Sequence, residues 1–369
     1  MKILQISNDY YSTKLYRILF EKLLKLGIEN DIYVFASNKH ENKEKEENIV
    51  FQKCYSEFMR GIYPLKQWLI FKNFCKNFKD IRRYNLVHAH TVFSNGDIAY
   101  RIYKKYNIPY IVAVRNTDLN VFFKYMIHLR KHGVEILENA ERIIFLSPEY
   151  QKKCIEKYIP TDKQKLILKK SLVITNGIDD FWFEKVVENK KIDNSIIRVV
   201  YAGSIDSNKN TITTIKSCKY LVEKGYRVKF TVIGKIVDTS QLTKDDFVEH
   251  IDFCNKEKLI EYYRKNDIFV MPSKTETFGL VYAEALTQGL PVIYTKGEGF
   301  DGQIEEGKVG YNVKYDDYID IAEKIVKIFN NYNYYTQNIK YYLPKFNWEN
   351  ISEEYFKIYS EVLKKKNVK

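Results

Sequence analysis

The chain has 369 residues, 45% of them apolar, and a formal net charge of +13, so it can build two domains with cores of their own and is too apolar for a disordered polyelectrolyte. Its five cysteines (Cys54, Cys75, Cys154, Cys218 and Cys254) are dispersed, with no Cys-x-x-Cys pair, which argues against a disulfide scaffold and for a reducing compartment. No apolar run of about 18 residues occurs, so no spanning helix is expected and a cytoplasmic location is.

In chain order, Lys2 to Ser7 reads as a first strand rather than a leader segment. Further strands are predicted near Asp31 to Ala36, Leu86 to His90, Tyr110 to Val114 and Arg142 to Leu146. Helices are predicted at Leu15 to Leu26 and Asp97 to Tyr106. Alternation of strand and helix implies a parallel, doubly wound α/β sheet. Residues 39–48 read as a solvated charged loop. Residues 1–190 hold 33 Lys and Arg against 22 Asp and Glu, a balance of +11. Between Lys53 and Arg83, Arg60, Lys66, Lys72, Lys76, Lys79 and Arg82 interleave with Phe58, Tyr63, Trp68, Leu69, Phe71, Phe74 and Phe78. Such a helix either turns an aromatic stripe to the core or lies on an anionic membrane. His88 and His90 share one face of a strand, but no third ligand accompanies them, which argues against zinc.

The polar run from Glu188 to Ser195 is the expected linker, giving domains 1–190 and 191–345. The pattern then restarts: strand Arg198 to Gly203, helix Thr211 to Lys224, strand Lys229 to Gly234, strand Asp267 to Pro272. Two Rossmann-like domains with a cleft between them follow, with ligands at the carboxyl ends of the strands. Next comes the most informative stretch, Pro272 to Leu286, in which Glu276 precedes a helix that begins at Leu280 and contains Glu284. The backbone amides of Thr277, Phe278 and Gly279, with the positive end of the helix, form a ready site for a diphosphate. At about 1.5 Å per helical residue the two carboxylates lie roughly 10 Å apart, which suits hydroxyls on both sides of that diphosphate. Gly297-Glu298-Gly299-Phe300-Asp301-Gly302 matches the dinucleotide fingerprint formally but lacks a following helix, so it is a decoy for an oxidoreductase. A pI of about 9.1 alone does not make a nucleic-acid binder, and no such motif is present.

Glu276, seven intervening residues and Glu284, preceded by Pro272-Ser273 and followed by Gly289-Leu290-Pro291-Val292, resemble the donor segment of retaining glycosyltransferases of family 4, the glycosyl transferases group 1. Val87 to Thr91, Arg115 to Asp118, Ala140 to Ser147 and Val173 to Asp179 resemble further family segments in the expected order, so the resemblance runs over nearly the whole chain. It implies the two-domain GT-B fold, with residues 346–369 as a helix crossing back to the first domain. It also implies transfer from a nucleoside diphosphate sugar, UDP being the expected carrier, to a glycan or lipid-linked glycan. No cofactor or metal is implied, and bacterial surface polysaccharide synthesis is the expected setting.

By the same resemblance Glu276 supports the transferred sugar and Lys209 the diphosphate. Glu284 holds the ribose, and Leu280, Gly203, Ser204 and Gly234 complete the donor side. His90, Arg115 and Asn116 fall on the acceptor side. This chain departs from the family in three places. Ser204 stands where many relatives have an arginine, with Arg115 and Lys274 as candidate replacements. Asn8 to Lys14 lacks the glycine pair of the first loop. Asn116 stands where some relatives have a histidine. The alternative function on this fold is a sugar-nucleotide epimerase or another non-transferase enzyme.

Overall fold

The structure, a computed structural model, describes residues 1–41, 46–188 and 190–367. Of the expected charged loop, residues 42–45 lie outside the described residues. Contacts divide the chain into two units. Met1–Leu146, Gln151–Ile174 and Trp348–Lys369 form the first, and Ser147–Tyr150 with Thr175–Asn347 form the second.

The first unit is built on a parallel sheet of β1 (Lys2–Ile6), β2 (Glu29–Ser37), β3 (Ile49–Tyr55), β4 (Leu86–Ala89), β5 (Tyr110–Val114), β6 (Arg142–Phe145) and β7 (Ser171–Val173). Its spatial order is β3-β2-β1-β4-β5-β6-β7. β1, β4, β5 and β6 are apolar runs buried almost throughout, as strands covered on both faces must be. The order reverses between β1 and β4, which opens a crevice beyond Ile6 and Ala89. The chain's last helix, Trp348–Asn367, belongs to this unit. Trp348, Ile351, Tyr355, Ile358, Tyr359 and Val362 form its buried stripe, packed in one cluster with Ile3, Leu19, Leu23 and Val34.

The second unit carries β8 (Ile197–Ala202), β9 (Val228–Ile233), β10 (Val248–Ile251), β11 (Ile268–Val270), β12 (Val292–Thr295) and β13 (Gly310–Val313) in the order β10-β9-β8-β11-β12-β13, again all parallel. Here the reversal lies between β8 and β11, so the loops after Ala202 and Val270 face the crevice. Helix Leu280–Thr287 leads from the β11 loop towards β12.

The boundary lies earlier than the polar run suggested. Residues 175–188 belong to the second unit, where Trp182 is 2% exposed. Lys190, inside the expected linker, is buried, and its ammonium caps the carbonyls of Tyr263 and Asn266. A lysine that satisfies helix-end carbonyls anchors the chain, so polarity alone misread this segment.

Candidate functional site

The site in the second unit grows from the two loops at the sheet's reversal. After β8 the chain turns sharply at Gly203. Gly234, after β9, lies so close that a Cβ there would stand 1.8 Å from the Gly203 oxygen, which explains the glycine at the end of β9. Asp206 accepts the amides of Asn208 and Lys209, both at 2.9 Å, and thereby shapes the loop that carries Lys209. Asn208 then stitches this loop to the β11 loop by accepting from the amide and hydroxyl of Thr275 and donating to its carbonyl. Asn210, at φ 60°, opens helix Thr211–Glu223 and donates to Pro272 O at 3.1 Å.

These stitches bring Lys209 Nζ to 2.5 Å from Glu276 Oε2. The two residues assigned to chemistry from sequence therefore meet, as an ion pair. The other oxygen of Glu276 accepts the Thr277 amide at 3.0 Å, so that amide is already engaged. The amides of Phe278, Gly279 and Leu280 have no acceptor among the described residues, and they sit at the start of the helix where an anion is favoured. Gly279 adopts φ +75°, and a side chain there would collide with the Tyr282 ring at 2.5 Å. Ser273 Oγ, wholly buried after β11, also has no partner among the described residues.

Glu284 is half-buried on the helix beside the Asp179–Lys256 ion pair, whose contact is 2.7 Å. Burial, then the nearby Asp179 carboxylate, raises its pKa from 4.5 to about 7, while Lys256 and the Trp182 indole pull the other way. Sequence reasoning missed Asp179, Trp182 and Lys256 because they lie far from the motif and in part beyond the assumed boundary.

It also missed Glu298. The glycine run 297–302 forms turns with no helix after it, as expected of a decoy. Its actual place is against the Glu276 segment. Glu298 Oε2 accepts the Glu276 amide at 2.8 Å, and Gly299 donates to the Glu276 carbonyl at 2.7 Å. A Cβ on Gly299 would lie 2.0 Å from the Thr277 carbonyl group, so only glycine permits this approach. Ser204 is spent locally, donating to Asp206 Oδ2 at 2.6 Å, and Lys274 is exposed.

In the first unit the residues expected on the acceptor side lie just beyond β4 and β5. His90 is fully buried under Tyr16 and Phe20, with ring centroids at 4.7 and 5.4 Å. Its Nε2 meets Gln5 Oε1 at 2.9 Å, and burial keeps it neutral, its pKa well below 6.5. His88 is likewise buried, at 2.8 Å from the Tyr359 hydroxyl. Arg115 is half-buried and reaches the His90 carbonyl at 3.4 Å, and Asn116 is exposed. Asp118 fixes the turn by accepting the amides of Val92, Phe93 and Arg115. Ser7 Oγ, Asn8 Oδ1 and His90 Nδ1 are buried without a partner among the described residues. The glycine-free first loop is filled by Tyr10, stacked on Phe20 at 6.0 Å.

Among the described residues no group of three or more His, Cys, Asp or Glu side chains is placed to hold a metal. None of the helices is long and apolar enough to cross a membrane among those residues.

Comparison with known proteins adds the following. Residues 183–343 match the sequence profile of glycosyl transferases group 1. An uncharacterized glycosyltransferase of Methanocaldococcus jannaschii is 24% identical over 371 residues, covering 98% of this chain and 99% of its own. The capsular polysaccharide biosynthesis glycosyltransferase CapM of Staphylococcus aureus is 28% identical, over 60% of this chain and 61% of its own. Among solved structures, the lipopolysaccharide outer core galactosyltransferase WaaB superposes with a TM-score of 0.75 at 16% identity, over 98% and 100% of the two chains. Anabaena HepE in complex with UDP-glucose gives 0.66 at 16% identity, over 99% and 100%. The shared architecture is the two-domain GT-B fold.

Proposed function

From the match of residues 183–343 to glycosyl transferases group 1, we propose that this chain is one of them and transfers a sugar, with retention, from a UDP-sugar to a hydroxyl of a glycan or lipid-linked glycan. The observation that carries this reading is the Lys209–Glu276 pair beside three amides without acceptors at a helix start, with Glu284 on the same helix. The diphosphate takes the amides of Phe278 to Leu280 and draws Lys209 to itself, which releases Glu276 to face the sugar. Glu284 accepts from the ribose hydroxyls. The acceptor oxygen bonds to the anomeric carbon on the face that the diphosphate leaves. The carbon–phosphate-oxygen bond breaks, and the acceptor's proton passes to the freed phosphate oxygen. Helix start and ammonium together supply charge stabilisation at the leaving group, so no metal is required. The relatives in capsule and lipopolysaccharide synthesis support a role in bacterial surface polysaccharide assembly on the cytoplasmic side. HepE, whose complex holds UDP-glucose, supports UDP as the carrier.

Calorimetric binding of UDP, GDP, ADP and their sugar conjugates, in chelator, to the wild type and to Glu284→Ala tests the reading. Selective binding of the UDP series that the substitution weakens about tenfold or more is expected. Equal binding of both proteins, or a strict need for divalent metal, overturns the donor assignment or its metal-free form.

A further inference from the structure

Away from the donor loops, the second unit carries an open groove built from amides and tyrosines. Helix Tyr318–Asn330 runs into helix Tyr332–Tyr342 through the sequence Asn330-Asn331-Tyr332-Asn333-Tyr334. This corner, with residues 191–194 ahead of β8, borders a cavity of about 690 Å³, inside the roughly 300–1,000 Å³ range of small-ligand sites. A second cavity of about 610 Å³ continues from it between helices Thr211–Glu223 and Tyr318–Asn330, and Asn330 and Asn331 line both. Both lie at the end of the sheet opposite to the donor loops. Their residues precede β8 and β9 or follow the carboxyl ends of these helices, whereas the donor loops follow β8 and β11. The six residues of β8, at about 3.3 Å each, put roughly 20 Å between the two ends.

The lining is mostly amide and aromatic ring. Asn194, Asn330, Asn331, Asn333 and Gln337 bring their carboxamides to the first cavity. Among the described residues only Asn331 of these spends its amide on the protein, donating to Lys327 O at 3.2 Å. A carboxamide donates and accepts in one plane, and so does a pair of neighbouring sugar hydroxyls. Tyr334 stands beside these amides, 49% exposed, with Tyr335 edge-on to its ring at 5.2 Å. The Tyr335 hydroxyl is in turn 2.8 Å from that of Tyr311, so Tyr334 rests on a fixed support. In the second cavity Tyr226, 40% exposed, offers another ring beside Tyr220. An aromatic face covers the C–H face of a sugar while the amides take its hydroxyls. Charge points the same way. Lys191 is the one ionic side chain lining the first cavity among the described residues, and in the second Lys224 and Lys327 meet Glu323. Asp193, the acid next in sequence, is taken up by Arg198 at 3.3 Å. A nucleic acid would need a denser run of cations, and a protein interface an apolar centre in place of the amides.

We propose that this groove is a second carbohydrate site, which holds a neutral oligosaccharide chain at the end of the unit remote from the donor loops. The assignment is independent of the donor reading. Intact protein is run in native gels cast with dextran, galactan or mannan, and with polygalacturonate as an acidic counterpart, each with and without saturating UDP. Retardation by at least one neutral polymer, unchanged by UDP, is expected. Asn330→Ala with Tyr334→Ala, both at exposed positions, should raise the polymer concentration needed for half-retardation about tenfold or more. UDP binding and the thermal midpoint should stay unchanged in this variant. Tyr332 is left in place because its hydroxyl holds Gly289 O at 3.0 Å, just past the donor helix. Unaltered mobility in all three neutral polymers, retardation abolished by UDP, equal retardation of the double variant, or stronger retardation by polygalacturonate would each overturn the proposal. So would a dimer in sedimentation velocity that the double variant dissociates, since the face would then be an interface between copies of this chain.

Discussion

At the scale of single residues, the two glutamates of the motif are expected to separate in their effects. Glu276→Ala should cut turnover on the order of a hundredfold while nucleotide affinity changes little, because Lys209 leaves Glu276 for the diphosphate and the carboxylate then faces the sugar, not the nucleotide. Glu284 carries a pH signature. Its ionised form is the hydrogen-bond acceptor, so UDP affinity should rise as pH increases through about 7. Stability should move the opposite way. The folded state holds this proton up to about pH 7, whereas an ordinary glutamate releases it near 4.5, so stability falls as pH rises across that window. Glu284→Gln should remove that slope, which thermal melts on either side of the window would read. Both glutamates were legible because the motif is contiguous. Glu298 was not, since nothing in a turn-rich glycine loop announces that its carboxylate braces a backbone amide 22 residues away.

At the scale of elements, strands with continuous apolar runs were readable to within a residue or two, such as β5 and β8. The short edge strands β7 and β10, with three and four half-buried residues, left no such run. The glycines that matter here are contacts between loops. Gly299→Ala drives a methyl into the Thr277 carbonyl group and should displace the Glu276 to Phe278 segment. Donor binding and turnover should both fall in this variant, with the fold retained in far-UV circular dichroism. Gly234→Ala meets both a collision at 1.8 Å and a backbone at φ +145°, and should cost roughly 1–3 kcal/mol of stability in denaturant titration. A spacing rule in the sequence finds the strand ends but not which loops touch, because that depends on the order β9-β8-β11 in the sheet.

At the scale of the whole molecule, two α/β units and their repeated strand–helix alternation were evident from the sequence, while their border was not. A polar run looks like a linker whether its lysine is solvated or, as with Lys190, inserted under two carbonyls. Salt should therefore leave this anchor intact and act chiefly on the exposed cations of residues 57–131. The membership of Trp348–Asn367 in the first unit bears on how the protein is made. A ribosome delivers residues 1–174 early, but the stripe from Trp348 to Val362 that completes their core emerges last. The nascent first unit must wait, its apolar cluster open, until the second unit has been synthesised. A stop codon at Trp348 would thus damage the part of the protein made first and spare the part made last. In such a truncated chain, proteolysis should remove the first unit while a fragment spanning residues 175–347 persists.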